Sequence, residues 1–156
     1  MSELILQETI EQRIFLIRGH RVMLDRDLAI LYGVKPIRLR EQVKRNIIRF
    51  PEDFMLQLNE SEIDFMVSHF AIPSRKHLGG YRPYVFTEQG VAMLATVLNS
   101  EKAIQANIAI MRTFVKLREI LSTHKELAHK LAELEHKIEK HDADIQAIFA
   151  ATAASR

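Results

Sequence analysis

The sequence predicts an α+β chain that is mostly helical: a small β-hairpin or sheet with a helix-turn-helix-like domain, followed by a long C-terminal coiled-coil helix. Three patterns carry that expectation. Apolar residues recur at spacings of three and four through most of the chain, which is the helical period. Ile14 to Leu24 alternates instead, around Gly19-His20, as a hairpin with a two-residue loop does. From Leu117 onward the repeat becomes a heptad.

Composition bounds the possibilities. The 156 residues are 47% apolar and 27% charged, enough for a core and incompatible with disorder throughout. No apolar run approaches a membrane span and the N-terminus lacks a basic signal region, so no membrane partner and a cytoplasmic location are expected. Without Cys there is no disulfide, thiolate metal site or Cys nucleophile.

Residues 1 to 12 are acidic and weakly amphipathic, and fit a short helix or strand lying on the domain. In the hairpin the Gly-first loop sets Ile17 against Val22, Phe15 against Leu24 and Leu16 against Met23, with Arg18 opposite Arg21. Like charges so placed are unfavourable unless an anion sits between them, so the pair reads as a phosphate clamp. Splaying into water, or pairing with Glu8 or Glu11, would serve equally.

Asp25 to Phe50 reads as two short helices about a tight turn. Asp25 is available as N-cap and Asp27 suits the first turn. Leu28 and Leu31 supply the apolar side, Ala29 admits a close crossing, Gly33 can take positive φ and Val34 can plug the corner. Lys35 precedes Pro36, which suits the first position of a second helix that Phe50, before Pro51, should end. Leu39, Val43, Ile47 and Phe50 form its buried stripe, and Arg38, Gln42, Arg45 and Arg49 a second stripe. Such a helix fits a helix-turn-helix unit entering the major groove, where Arg can pair with guanine and Gln with adenine. A solvated face has the same composition. Charge separates the two readings: Arg13 to Phe50 holds ten Lys/Arg against three Asp/Glu, although the whole chain is only +2. Glu41 works against that field, as a reader of cytosine or a salt-bridge partner.

Phe54 to Leu58 alternates as a strand that could join the hairpin as its third. Asn59 and Glu62 make a capping box for a helix with the stripe Ile63, Met66, Val67 and Phe70. The loop from Ala71 to Pro83 carries Arg75, Lys76, His77 and Arg82, as a backbone-gripping wing or a plain connection. Tyr84 to Phe86 is a short strand, Thr87 caps the next helix, and Asn99-Ser100 breaks it and caps another. The first part of that last helix, Ala103 to Val115, is apolar on most sides and should be buried.

In the heptad that follows, the a positions are Leu117, His124, Leu131, Ile138 and Ile145, and the d positions Ile120, Leu127, Leu134, His141 and Ile148. The apolar members are the expected dimerisation residues. Lys130 at g meets Glu135 at e of a partner, and Lys137 meets Asp142, in a parallel homodimer. The expected organisation is residues 1–116 as the DNA-binding domain, 117–150 as the coiled-coil dimerisation helix and 151–156 as a frayed tail.

Four segments resemble one family. The hairpin with LDRDLAILYGV, then REQVKRNIIRFPEDFMLQL, PYVFTEQGVAMLATVLNS and AIQANIAIMRTFVKLRE, resemble the phage open-reading-frame-six N-terminal (ORF-six-N) domain, akin to KilA-N and Bro-N domains. RFPEDF and FTEQGVAML are its most specific strings, and the likeness covers about residues 10 to 120. It implies a DNA-binding module of phage or prophage origin with a variable C-terminal part. The loop SRKHLGGYRPY is longer on its basic side than the family's short Gly-Gly-Arg pattern.

No chemistry-bearing constellation accompanies it. The seven histidines form no i, i+4 pair, there is no HExxH, Gly-rich phosphate loop or GxSxG, and Thr87-Glu88-Gln89 is explained as a helix start. No enzyme activity, cofactor, metal or small-molecule substrate is therefore expected. The expected function is a dimeric, sequence-specific double-stranded DNA regulator contacting DNA through Lys35, Arg38, Gln42, Arg45, Arg49, Arg18, Arg21, Arg75, Lys76 and Arg82. Its rival is a coiled-coil adaptor, resembling an anti-repressor, whose basic domain binds an acidic protein or nucleic acid non-specifically.

Overall fold

The computed structural model describes residues 3 to 154 and divides into two units, residues 1–115 and 116–156. The chain is α+β and mostly helical, with a small antiparallel sheet and a long C-terminal helix. In order it forms α1 (Glu3–Glu11), β1 (Ile14–Ile17), β2 (His20–Leu24), α2 (Asp25–Tyr32) and α3 (Pro36–Arg45). A 3₁₀ turn (Ile47–Arg49), β3 (Met55–Gln57), α4 (Glu60–Ser68) and α5 (Arg75–Leu78) follow, then β4 (Tyr84–Thr87), α6 (Glu88–Leu98) and α7 (Glu101–Ala154).

The sheet has the order β1-β2-β4-β3, so β4 separates the third strand from the hairpin that it was expected to join. Its two faces are covered by different helices. Met23 and Phe86 point into a larger core with α1, α2, α3, α6 and the first turns of α7, including Ile10, Leu28, Leu39, Leu94 and Ile110. Ile17, Val22, Leu24 and Val85 point the other way, onto Leu58, Ile63, Met66 and Ile72.

The hairpin turns one residue earlier than expected. Phe15 pairs with Val22 and Ile17 with His20, which leaves Arg18-Gly19 as the loop, both with positive φ (51° and 79°). Two central residues of that kind make a primed turn whose twist suits the strands. The pairing differs by two residues from the expected one, so every side chain keeps its face, but Arg18 no longer stands opposite Arg21. Arg18 instead donates from Nε and Nη2 to the Glu62 carboxylate (2.9 and 2.6 Å) and from Nη2 to the Gln57 carbonyl (2.8 Å).

Several ends differ for local reasons. Leu24, not Asp25, occupies the N-cap of α2. α3 stops at Arg45 because Asn46 turns its side-chain amide back onto the Gln42 carbonyl (2.8 Å), competing with the helix. Ile47 therefore leaves the buried stripe and is 56% exposed, while Phe50 rejoins the core edge-on to Phe86. The capping box of Asn59 and Glu62 is present, but α4 ends at Ser68 with His69 as its C-cap, and Phe70 (φ 61°) is 91% exposed. Ile72 fills the place its stripe position would have had, its N–H donating to the Met66 carbonyl. In α7 only one side of residues 103–115 is buried, through Ala103, Ala106, Ile110, Thr113 and Phe114; Ile104, Ile108 and Val115 are exposed. The tail expected to fray is helical to Ala154, and its last two residues lie outside the described ones.

One close approach locks the sheet to its helices. A Cβ on Gly90 would lie 1.9 Å from the Phe54 carbonyl oxygen, and Thr87 gives its N–H to the same oxygen (3.0 Å) while its hydroxyl donates to the Asp53 carbonyl (2.8 Å). Gly90→Ala should cost about 3 kcal/mol or more, because backbone must move, against about 1 kcal/mol for Gly79→Ala at an open positive-φ site. Urea unfolding of both variants checks this; equal costs would mean that the contact yields.

The Glu62 carboxyl is held below its ordinary range, first by the hydrogen bond from Arg18. Its contribution is thus fully present above the unfolded value of about 4.3 and lost as pH falls through the lower folded value. Glu62→Gln keeps a capping-box residue but removes the ion pair. It should cost about 1 to 2 kcal/mol at pH 7, and the difference from the parent should shrink toward zero by about pH 3. A cost independent of pH would assign it to the cap alone.

Candidate nucleic-acid interface

The helix pair is built as its sequence requires. Gly33 ends α2 in the left-handed region (φ 70°), its N–H and that of Val34 reach back to the Ile30 and Ala29 carbonyls, and Val34 packs on the larger core. Lys35 is extended, Pro36 opens α3, and Ala29, Leu39 and Val43 are buried where the two helices meet.

With Leu39 and Val43 inward, α3 presents Arg38, Glu41, Lys44 and Arg45 to solvent, with Gln42 half-buried on the flank. Lys35 is exposed just before the helix. Arg49 is exposed on the 3₁₀ turn and so no longer continues the stripe of Arg38 and Arg45. Among the described residues none of Lys35, Arg38, Arg45 and Arg49 is in an ion pair. Three isoleucines, Ile37, Ile47 and Ile48, are also exposed on or just after α3.

The remaining predicted contacts divide. Arg18 is held by Glu62, and Arg75 by Asp64 (2.7 Å) together with the Glu60 carboxylate and carbonyl, so both arginines fasten α4 to its neighbours. Arg21 is half-buried in the ladder opposite Leu16. The loop expected to be a wing contains α5, capped by Ser74 and closed by Gly79. Lys76 is exposed on it, and Arg82 is exposed with its Nε 3.3 Å from the Leu58 carbonyl.

Arg40 and Tyr81 were not singled out by the sequence, and Asp25 only as a helix cap. The Arg40 guanidinium lies over the Tyr81 ring, 4.4 Å from its centroid, and Tyr81 donates its hydroxyl to the buried Asp25. Asp25 also accepts from the Arg26 and Tyr84 N–H groups. Burial pushes its carboxyl above the usual range, against those hydrogen bonds. Burial and then the Asp25 charge push the Tyr81 phenol up as well. Asp25 and Tyr81 are 56 residues apart, so only the Pro36, Arg40, Lys44 spacing on a side neither apolar nor central to the Arg/Gln stripe could have hinted that Arg40 has a separate task.

No group of three or more His, Asp or Glu suited to a metal occurs among the described residues, and no helix among them is long and apolar enough to cross a membrane. Comparison with curated proteins and with solved structures finds no match. A family model, the ORF6N domain, matches residues 12–97, from the hairpin to the end of α6 and through both strings that meet at the Phe54 carbonyl. That match takes in over half of the 156 residues, and the chain belongs to the ORF6N domain family.

Proposed function

We propose that this protein is a sequence-specific double-stranded DNA-binding protein, a dimeric transcriptional regulator that sets α3 into the major groove. The observation that carries the reading is the exposed face of α3. Among the described residues Arg38 and Arg45 are in no ion pair, and they are exposed beside Gln42 and Glu41 on a short helix whose opposite side is anchored by Leu39 and Val43. Donors of this kind match purine edges, and Lys35 and Arg49, which flank α3, and Lys76 and Arg82, from the later loop, are exposed and could meet phosphates. Arg18 and Arg75 are left out of that contact set because their charge is spent within the fold. No catalytic group, cofactor or metal enters the proposal.

The exposed Ile37, Ile47 and Ile48 favour a second reading, in which the same surface docks a protein, since Ile48 is 92% exposed where DNA contact would rarely need it. Selection from a random duplex pool separates the two: recovery of a defined, two-fold sequence supports the regulator, and uniform retention or none supports the adaptor. With a selected site in hand, Arg38→Ala and Arg45→Ala should each cost about 1 to 3 kcal/mol of specific binding and relax preference at one position. If both bind selected and random duplex as the parent does, another face reads the bases.

For the second unit we propose a parallel homodimer of α7. Leu127, Leu131, Leu134, Ile138 and Ile148 are each more than half exposed in the single chain, and they share one heptad seam with Leu117, Ile120 and Ile145. Sedimentation at micromolar concentration should give a dimer, and Leu131→Asp with Leu134→Asp a monomer. A monomeric parent would end the proposal.

A further inference from the structure

The stack of Arg40 on Tyr81 forms one wall of a cleft of about 190 Å³ lined by Arg26, Arg40, His77, Asp25 and Tyr81 and by five apolar residues, Leu78 among them. At roughly 30 Å³ per water, that is room for a tetrahedral anion with part of its substituents. The cleft joins the start of α2, the first turns of α3 and the short helix α5, which the sequence separates by some fifty residues.

Arg40 is prepared to receive something there. Its guanidinium face rests on the Tyr81 ring, and the ring is fixed because its hydroxyl is held by buried Asp25. Stacking uses the face of the guanidinium and leaves its N–H edge, a planar fork matched to two oxygens of one phosphate. Among the described residues no hydrogen bond or ion pair takes up that edge. The one carboxylate in the lining, Asp25, already accepts from the Tyr81 hydroxyl and from the Arg26 and Tyr84 N–H groups, so its lone pairs are turned to the protein. Two guanidiniums and an imidazole thus line the cleft with a single carboxylate, which attracts Arg40 electrostatically but makes no hydrogen bond to it.

We infer that this cleft is a phosphate site, in which Arg40 grips one phosphate group through its N–H edge, Arg26 adds a second positive charge and His77 a ring N–H. The inference rests on the DNA-binding reading only for the source of the phosphate, which is either a backbone diester beside the groove that α3 enters or a free phosphate ester. For a diester the site would tie α5 and α3 to the same strand.

Inorganic phosphate, titrated into the full-length protein and followed by the side-chain NMR signals of His77 and the arginines, tests the site without DNA. Saturable shifts at His77 and Arg40 are expected, with binding weakened about tenfold or more by Arg40→Gln and by His77→Gln. His77 is exposed, so its variant folds whatever becomes of the stack. A second arm measures duplex binding against salt. If the source is DNA, Arg40→Gln lowers the slope by about one unit and a single ethylated phosphate stops interfering in that variant. Phosphate binding that both variants lose, with no duplex bound by the parent, supports the site with a free ester as its source and sinks the DNA reading alone. Duplex binding with parental slope in both variants, together with no phosphate shifts, overturns the site and leaves the DNA reading standing. Shifts of the same affinity in parent and variants also overturn it.

Discussion

The contact that the first unit depends on is the approach of α6 to the Phe54 carbonyl, possible only because residue 90 has no side chain. That one oxygen takes the Thr87 N–H, and the Thr87 hydroxyl meets the Asp53 carbonyl while accepting from Gly90 N–H at the start of α6. Three consequences follow from the joint. β4 is held beside β3, α6 is aimed across the sheet onto α3, and the turn after α3 is pinned so that Phe50 can reach Phe86. The buried side of α3 is thereby fixed, and with it the side that faces water. The strings RFPEDF and FTEQG, which carry the family resemblance, are the two halves of this joint.

Electrostatics then narrows the surface that the joint exposes. The raw excess of Lys and Arg between residues 13 and 50 overstates the available field, because Arg13 is tied to buried Asp27 (2.6 Å) and Arg18 to Glu62. Burial raises the Asp27 carboxyl while Arg13 lowers it, so that pair largely settles a cost that the fold imposes on itself. On the opposite face of the sheet, Arg75 is matched by Glu60 and Asp64. What remains uncompensated is concentrated on α3 and its flanks, a smaller and better defined patch than the charge count implies.

Features legible in the sequence were those set within a few residues. The Gly33 turn, Pro36, the capping box of Asn59 and Glu62, the Thr87 cap and the Asn99-Ser100 break all follow from local backbone preferences. Those missed depend on partners far along the chain. The hairpin illustrates why: a Gly-first loop is the cheaper choice locally, and placing Arg18 at positive φ costs about 1 kcal/mol. Its two-pronged bond to Glu62, 44 residues away, offsets that cost and comes with a primed turn. The insertion of β4 between β2 and β3 was hidden likewise, since three short alternating strands do not say which pairs with which. Asn46 was the one local signal overlooked; a residue that can bond its own preceding turn ended α3 before the apolar period did.

The candidate site has the same division, and α7 shows it most clearly. Read backward from Leu117, its heptad lands on Ala103, Ala106, Ile110 and Thr113, all buried within the first unit. One stripe of one helix is therefore satisfied by the domain up to Phe114 and continues with the same spacing through a second unit, where Leu127, Leu131, Leu134 and Ile138 are each more than half exposed. Small residues where the domain packs closely and Leu or Ile beyond it are what a helix needs if one face is to serve an intramolecular core and then an intermolecular seam. Leu and Ile at these a and d positions, with Lys130 and Lys137 at g and Glu135 and Asp142 at e, are the pattern on which the proposed parallel pairing of α7 rests.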